Sequence, residues 1–398
     1  MVAHGAALLA ALSLSLLDPR PSAAQAPPPR PPLGGSADTN DAAAYLALGA
    51  ELLVRDPSAA RSAFWWAARI DPSAAAATYG LARAIVLAST DATRAVFDGP
   101  REDATRQLIR MSDSLDARAQ GLDPFLFRAY DRLLLIYYVA RRNGINDLSV
   151  AQGALERILG DMDAEVQGWY QYSTGRMPEA LARYADALRR ARDPAAIHRR
   201  RGEIYAMLRQ PDSAVVELRT ALAILRKAES GATSWYEPKA MLEQQIGLLY
   251  ERGGRLADAR AAYGRALIED LAFHPAHVRL AAMALAAGDT VAAANEFVLA
   301  AELAPTDAVV RYQCGYGLIV ARRQAEAAEQ LRAAVALEPW YAEPRLLLAR
   351  LADDNELTTE AVTGYREFLA RATTRHPQRL AVQRRLATLS AAAPTPPD

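Results

Sequence analysis

Five histidines, one cysteine and a run of three arginines are the side chains of this 398-residue sequence whose types and spacing could do chemistry. His274-Pro275-Ala276-His277 has a gap that can bring two imidazoles to one metal ion. Zinc sites take three or four protein ligands, however, and no cysteine stands nearby. The pair is therefore read as a loop-to-helix junction, and no metal is expected. Cys314 would need a neighbouring base and access to solvent to act as a nucleophile, and is read instead as a small buried apolar residue. Arg199-Arg200-Arg201 reads as a local anion contact or, more commonly, a solvated helix face. There is no HExxH, no phosphate-binding glycine loop, no GxSxG and no CxxC, so neither a catalytic set nor a cofactor is expected.

Composition bounds what must position these residues. The chain is 51% hydrophobic and 23% charged, a balance that folds. Aromatics are few, at 7%, and alanine is abundant, which favours helix because alanine gives up no side-chain entropy there. The 46 basic and 46 acidic residues cancel, so the positive field that dominates nucleic-acid binding is missing and no nucleic-acid partner is expected. Lys227 and Lys239 are the only lysines, which with the alanine excess reads as a GC-rich coding sequence. A single cysteine allows no intramolecular disulfide, so packing must hold the chain.

Residues 6–17 form an apolar run too short to span a bilayer, followed by Ser22-Ala23-Ala24-Gln25-Ala26. This reads as a signal peptide, residues 1–24, cut after Ala24, although no Lys or Arg precedes the apolar run. A cut after Ala26 fits less well because Pro27 would follow it, and an uncleaved apolar leader is the competing reading. The mature chain is expected in a bacterial periplasm or secreted, without a transmembrane span. Residues 25–41, with PPPRPP at 27–32, read as a Pro-rich disordered linker, and 391–398 as a disordered tail.

Between them the chain repeats itself. Pro305 and Pro339 are thirty-four residues apart, and steps of thirty-four from Gly247 reach Ala281, Gly315 and Ala349. From Ala259 they reach Ala293, Ala327 and Ala361, and from Tyr263 they reach Phe297, Leu331 and Tyr365. Upstream, Gly168 leads to Gly202, Ala180 to Ala214 and Tyr184 to Leu218. Small residues let helix axes approach, a large one fills the hole beside the crossing, and proline stops the second helix. The match is best in residues 246–267, IGLLYERGGRLADARAAYGRAL, with Gly247, Tyr250, the turn glycine Gly254, Ala259, Tyr263 and Ala266.

This pattern resembles the tetratricopeptide repeat, a thirty-four-residue helix–turn–helix unit. The resemblance implies an all-α, right-handed superhelical solenoid of antiparallel helix pairs over residues 42–390. About eight or nine repeats are implied, closed by a capping helix at 378–390. Insertions are expected near 85–104 and 226–239, and residues 125–160 are helical in pattern but keep the signature poorly. Where the family has a bulky residue four places before the small one, Glu243, His277, Arg311 and Arg345 stand. Of Trp65 and Trp66, one is expected to pack on the neighbouring repeat.

The resemblance also implies a function: a non-catalytic scaffold or adaptor that binds a peptide or protein segment in its concave groove. Offsets from the small residue nominate Trp169, Tyr172, Arg199, Glu203, Gln244, Leu248, Tyr312, Tyr316, Leu346 and Arg350 as protein-binding positions. Tyr312 and Tyr316, one helical turn apart, suit a clamp for an extended peptide or a helix. The family's lysine and asparagine pattern for holding a C-terminal carboxylate is not reproduced. The alternative is an accessory component of a cell-envelope assembly, handling lipid or glycan, with residues 226–239 as its active feature.

Overall fold

The computed structural model describes residues 27–35, 37–99, 102–229 and 239–392. The expected signal peptide, residues 230–238 of the expected insertion and the tail from 393 lie outside the described residues. The chain divides into two units, Met1–Arg30 and Pro31–Asp398, and the helices among the described residues lie in the second. These are α1 (Ala42–Arg55), α2 (Pro57–Ile70), α3 (Ala75–Leu87), α4 (Thr90–Asp98), α5 (Asp103–Leu122), α6 (Asp131–Arg142) and α7 (Leu148–Leu159). Then come α8 (Ala164–Ser173), α9 (Met177–Ala187), α10 (Pro194–Met207), α11 (Pro211–Glu229), α12 (Lys239–Arg252) and α13 (Leu256–Glu269). The series ends with α14 (His274–Ala286), α15 (Thr290–Leu303), α16 (Ala308–Val320), α17 (Gln324–Leu337), α18 (Glu343–Asp354), α19 (Thr358–Arg371) and α20 (Arg379–Ala392). No strand occurs among the described residues. From α8 onward, helices pack as consecutive pairs and α20 covers α19.

Short signals set the helix ends. Aspartates at 41, 56, 147, 193, 289 and 307 cap α1, α2, α7, α10, α15 and α16, each accepting a backbone N–H that the first turn leaves orphaned. The turn inside each pair repeats as strictly as the helices. Gly254, Gly288, Arg322 and Glu356 follow at thirty-four-residue steps, as do Gly175 and Arg209, and all six have φ between 59° and 83°. Each closes a Schellman motif in which the following amide reaches back over the last turn: Arg255 N to Tyr250 O at 2.8 Å, Arg323 N to Leu318 O at 2.9 Å, Leu357 N to Ala352 O at 2.8 Å. The register of the turn thus holds even where glycine has been replaced.

The packing columns fall where the spacing predicts. Ala259, Ala293, Ala327 and Ala361 are all 0% exposed, and Tyr263, Phe297, Leu331 and Tyr365 lie buried beside them. A Cβ on Gly168, Gly202, Gly247 or Gly315 would stand within 3 Å of Tyr184, Leu218, Tyr263 and Leu331 respectively, the residue sixteen places on. These glycines therefore occupy equivalent crossings. Cys314 is fully buried in this packing, which pushes its thiol up to about 11.

The missing bulky residue is replaced by a polar link between the helices of a pair. His198 Nδ1 lies 2.6 Å from Glu217 Oε2, and His277 Nδ1 lies 2.7 Å from Glu296 Oε2. Arg311 Nη1 donates to Gln330 Oε1 at 2.6 Å, again nineteen residues away. Glu243 accepts from Arg265 Nε at 2.9 Å, and Arg345 Nε donates to Glu367 Oε2 at 3.2 Å. His277 is thereby committed to Glu296, with Nε2 3.3 Å from Leu271 O. The arginine run is likewise paired: Arg200 Nη1 meets Glu203 Oε2 at 2.7 Å and Arg201 Nη2 meets Glu217 Oε1 at 2.7 Å, so 200 and 201 do not form a solvated face.

One expected insertion holds structure of its own, and two expectations are corrected. Within 85–104, residues 90–98 form the short α4, but the main packing partner of α3 is α5. Helix α5 lies along α3, so α3 is covered by α2, α4, α5 and α6 and has twelve of its thirteen residues buried. Residues 123–130 are not helical, because Pro124 removes a donor and clashes with a continuing helix. Finally, the part of the expected linker preceding α1 is tied down. Asn40 Nδ2 donates to Ala370 O at 2.9 Å and Thr374 N to Asp38 Oδ2 at 2.6 Å, while Leu33 joins the cluster around Trp340.

Those last contacts mean that the stack returns to its own beginning. Trp65 and Trp66 pack on Trp340, between α17 and α18, with ring centroids 5.8 and 5.0 Å away in edge-on geometry. Arg69 Nη1 donates to Glu338 Oε1 at 2.7 Å. Burial pushes the Glu338 carboxyl above its ordinary range although Arg69 pulls it down. Both tryptophans thus serve a distant pair as well as the adjacent one.

Candidate functional site

The first helices of successive pairs face one common space, because a single stretch of chain touches several of them. Residues 118–128 meet Tyr172 on α8, Gln245 and Arg252 on α12, and Asp307 at the cap of α16. This inner face is where the groove positions were nominated, and the structure divides them.

Six positions lie on α8, α10 and α12, and of these Tyr172, Glu203 and Leu248 stand against the segment. Tyr172, Glu203 and Gln244 are buried, and Trp169, Arg199 and Leu248 are half-buried. Tyr172 is 0% exposed: its hydroxyl lies 3.5 Å from Leu126 O and 3.4 Å from Arg128 N, Phe127 meets its ring edge-on at 5.7 Å, and Arg200 covers its face at 4.9 Å. Burial pushes the Tyr172 hydroxyl up to about 12, so it serves as a neutral donor and acceptor. Gln245 Nε2 donates to Pro124 O at 3.4 Å, and the Arg252 guanidinium covers Phe125 at 5.0 Å. Pro124, Phe125 and Phe127 were missed by sequence reasoning. The available signal was the apolar stretch DPFLF, which fits no column of the repeat.

Beneath this segment lies a closed ionic network. Arg83 Nε donates to Asp131 Oδ1 at 2.8 Å, Tyr79 Oη donates to the same oxygen at 2.9 Å, and Arg128 Nε meets Asp131 Oδ2 at 3.2 Å. Asp116 receives both Arg83 and Arg128. Burial alone would raise the Asp131 carboxyl, but Arg83 and Arg128 outweigh it and hold it at about 2. The network therefore stays ionised and locks α3, α5, the segment and α6 together.

The remaining positions stand apart from the segment. Tyr316 is 45% exposed, and Tyr312 is half-buried with Tyr341 edge-on to it at 5.5 Å. Arg350 is exposed and donates to Gln378 Oε1 at 2.7 Å, whereas Leu346 is buried among Ala342 and Phe368. Beside the segment an open cavity of about 490 Å³ is lined by Leu122, Asp123, Pro124, Leu248, Glu251, Arg252 and Arg279. Arg279 pairs with Glu251, which also accepts from Tyr263 Oη at 2.7 Å. Among the described residues no helix is long and apolar enough to cross a membrane, and no cluster of three metal-ligating side chains occurs.

The recurring turn, the equivalent glycine crossings and the buried alanine columns define an all-α solenoid built from tetratricopeptide-type helix pairs. No protein-family model and no curated protein matches the chain. Among solved structures, the chain is similar to the C-terminal part of a TPR repeat-containing protein from Cytophaga hutchinsonii, at 16% identity over 51% of this chain and 77% of that one, with a TM-score of 0.42. It is similar to PilF of Pseudomonas aeruginosa, at 18% identity over 59% of this chain and 99% of that one, with a TM-score of 0.43. It is also similar to YrrB, described as a TPR protein with an unusual peptide-binding site, at 16% identity over 50% and 97%, with a TM-score of 0.40.

Proposed function

We propose that this protein is a non-catalytic scaffold that binds an extended protein segment on the free part of its inner face, at Tyr312 and Tyr316. One observation carries the reading. Tyr316 is solvent-exposed one helical turn from Tyr312, which Tyr341 backs, and aromatic side chains held in place at a surface are the kind that dominate binding energy. We further propose that the protein works in the periplasm or outside the cell.

The test is affinity capture of a partner from the envelope fraction, then calorimetric titration of that partner against Tyr312→Ala and Tyr316→Ala. A tenfold or greater loss of affinity, about 1.4 kcal/mol or more, is expected for at least one of them. Affinity equal to that of the unaltered chain in both variants would remove this face from consideration.

A further inference from the structure

The covered part of the inner face contains a recognition event already formed. We propose that residues Asp123–Phe127 act as a ligand in cis, and that the surface beneath them is a second peptide site. The site is specific for a segment that turns at a proline, Leu126 N donating to Asp123 O at 3.1 Å, and carries an aromatic residue, one spacer and a second aromatic residue. The proposal rests on the reading that the inner face recognises chain segments, and it concerns a different stretch of that face.

The chemistry of the site is written in its contacts. Two side chains read backbone rather than sequence. Gln245 donates to Pro124 O, and the Tyr172 hydroxyl meets both Leu126 O and Arg128 N. Two contacts read side chains: Arg252 lies over the face of Phe125, and the Tyr172 ring meets the edge of Phe127. Side-chain ties to the backbone combined with contacts to particular side chains let a groove gain affinity and selectivity together.

The strength of the contacts is uneven, and the unevenness separates ligand from framework. At its downstream end the segment is held firmly to its own neighbours: Tyr130 N donates to Tyr79 Oη at 2.9 Å, and Arg128 joins the ion pairs with Asp131 and Asp116. The hydrogen bonds to the groove proper lie at 3.4 and 3.5 Å, the outer limit for such bonds. The cavity of about 490 Å³ beside Leu122–Pro124 leaves room for the segment to move aside. The Phe125 ring, buried with Leu218 and Tyr250, is the anchor rather than these hydrogen bonds, and tethering at both ends keeps the stretch in its site by raising its effective concentration to roughly the millimolar range. An incoming chain with the same features has that concentration to overcome.

The test uses a fluorescein-labelled ten-residue peptide with the sequence of residues 121–130, and fluorescence anisotropy. The mature chain is compared with a Phe125→Ala, Phe127→Ala double variant whose helix content is verified by circular dichroism. The peptide is expected to bind the variant at least about tenfold more tightly than the unaltered chain, and a peptide lacking both phenylalanines to bind neither. Equal binding to both proteins would overturn the proposal. Should the variant not fold, hydrogen exchange of the unaltered chain decides. The Arg128 amide is expected to exchange at least about tenfold faster than Leu135 and Val139 in α6. Exchange at the same rate would make the segment part of the global core and end the idea. Tyr316→Ala is expected to leave the peptide affinity unchanged, so failure of the partner titration and failure of this proposal are told apart.

Discussion

A Cβ placed on Gly247 would stand no more than 2.9 Å from three ring atoms of Tyr263, whereas one placed on Gly264, the next residue along that helix, would meet nothing within 4 Å. The same substitution should therefore have opposite signs at the two positions. Gly264→Ala removes backbone freedom from the unfolded chain and is expected to stabilise by about 0.5–1 kcal/mol. Gly247→Ala gains the same term but must push the ring aside, and overpacking of about 1–3 kcal/mol outweighs it. Urea unfolding of both variants is the check, and stabilisation by Gly247→Ala would contradict the close crossing.

Arg322 and Glu356 sit at φ 61° and 59°, in the turn column that glycine occupies at 254 and 288. A side chain there costs about 1–2 kcal/mol relative to ordinary backbone, partly offset in the unfolded state. Arg322→Gly and Glu356→Gly are each expected to raise the free energy of unfolding measured in urea, by roughly 0.5–1 kcal/mol. A fall in both would mean that the side chains contribute more than their turn costs.

Asp131 holds Arg83, Arg128 and Tyr79 in a buried site. Asp131→Asn leaves two guanidiniums short of a charge and is expected to destabilise by about 3 kcal/mol or more. The pH dependence follows from the carboxyl being held at about 2, below its unfolded value near 4. Its contribution is complete above pH ~4 and is lost as pH falls toward ~2, because the unfolded chain takes up the proton first. Thermal midpoints measured across that window should fall more steeply for the native chain than for the Asn variant.

Trp340 joins the first pair to the far end of the stack through Trp65 and Trp66. Trp340→Ala is expected to cost about 3 kcal/mol and to let the first pair swing away. Small-angle scattering should then report a larger radius of gyration, and an unchanged curve would show that Asp38, Asn40 and Arg69 suffice for closure.

The helix pairs were legible because each column repeats a local choice. Gly247, Ala281, Gly315 and Ala349 face the same kind of neighbour within one pair, so spacing alone announces them. Contacts between residues far apart left no such trace. Trp66 meets Trp340, Phe125 shares a core with Leu218 and Tyr250, and the approach of residue 124 to residue 245 follows from the curvature of the stack rather than from any local period. The charged residues in place of the bulky one were visible in the sequence, but their partners were not. At 198, 277 and 311 the partner is nineteen residues on, and at 243 and 345 it is twenty-two. The short fourth helix and the long fifth defeated the frame because α3 is buried all round, its Arg83 included, so that periodicity assigns it no single face.

The docking of Trp66 on Trp340 also has a consequence for synthesis on the ribosome. The segment bearing Trp66 finds its companion only after more than 270 further residues have been polymerised, roughly 15–55 s at 5–20 residues per second. Throughout that interval the nascent tryptophans lack their final cover, so a chaperone able to shield them would act on the opening pair rather than on any later one.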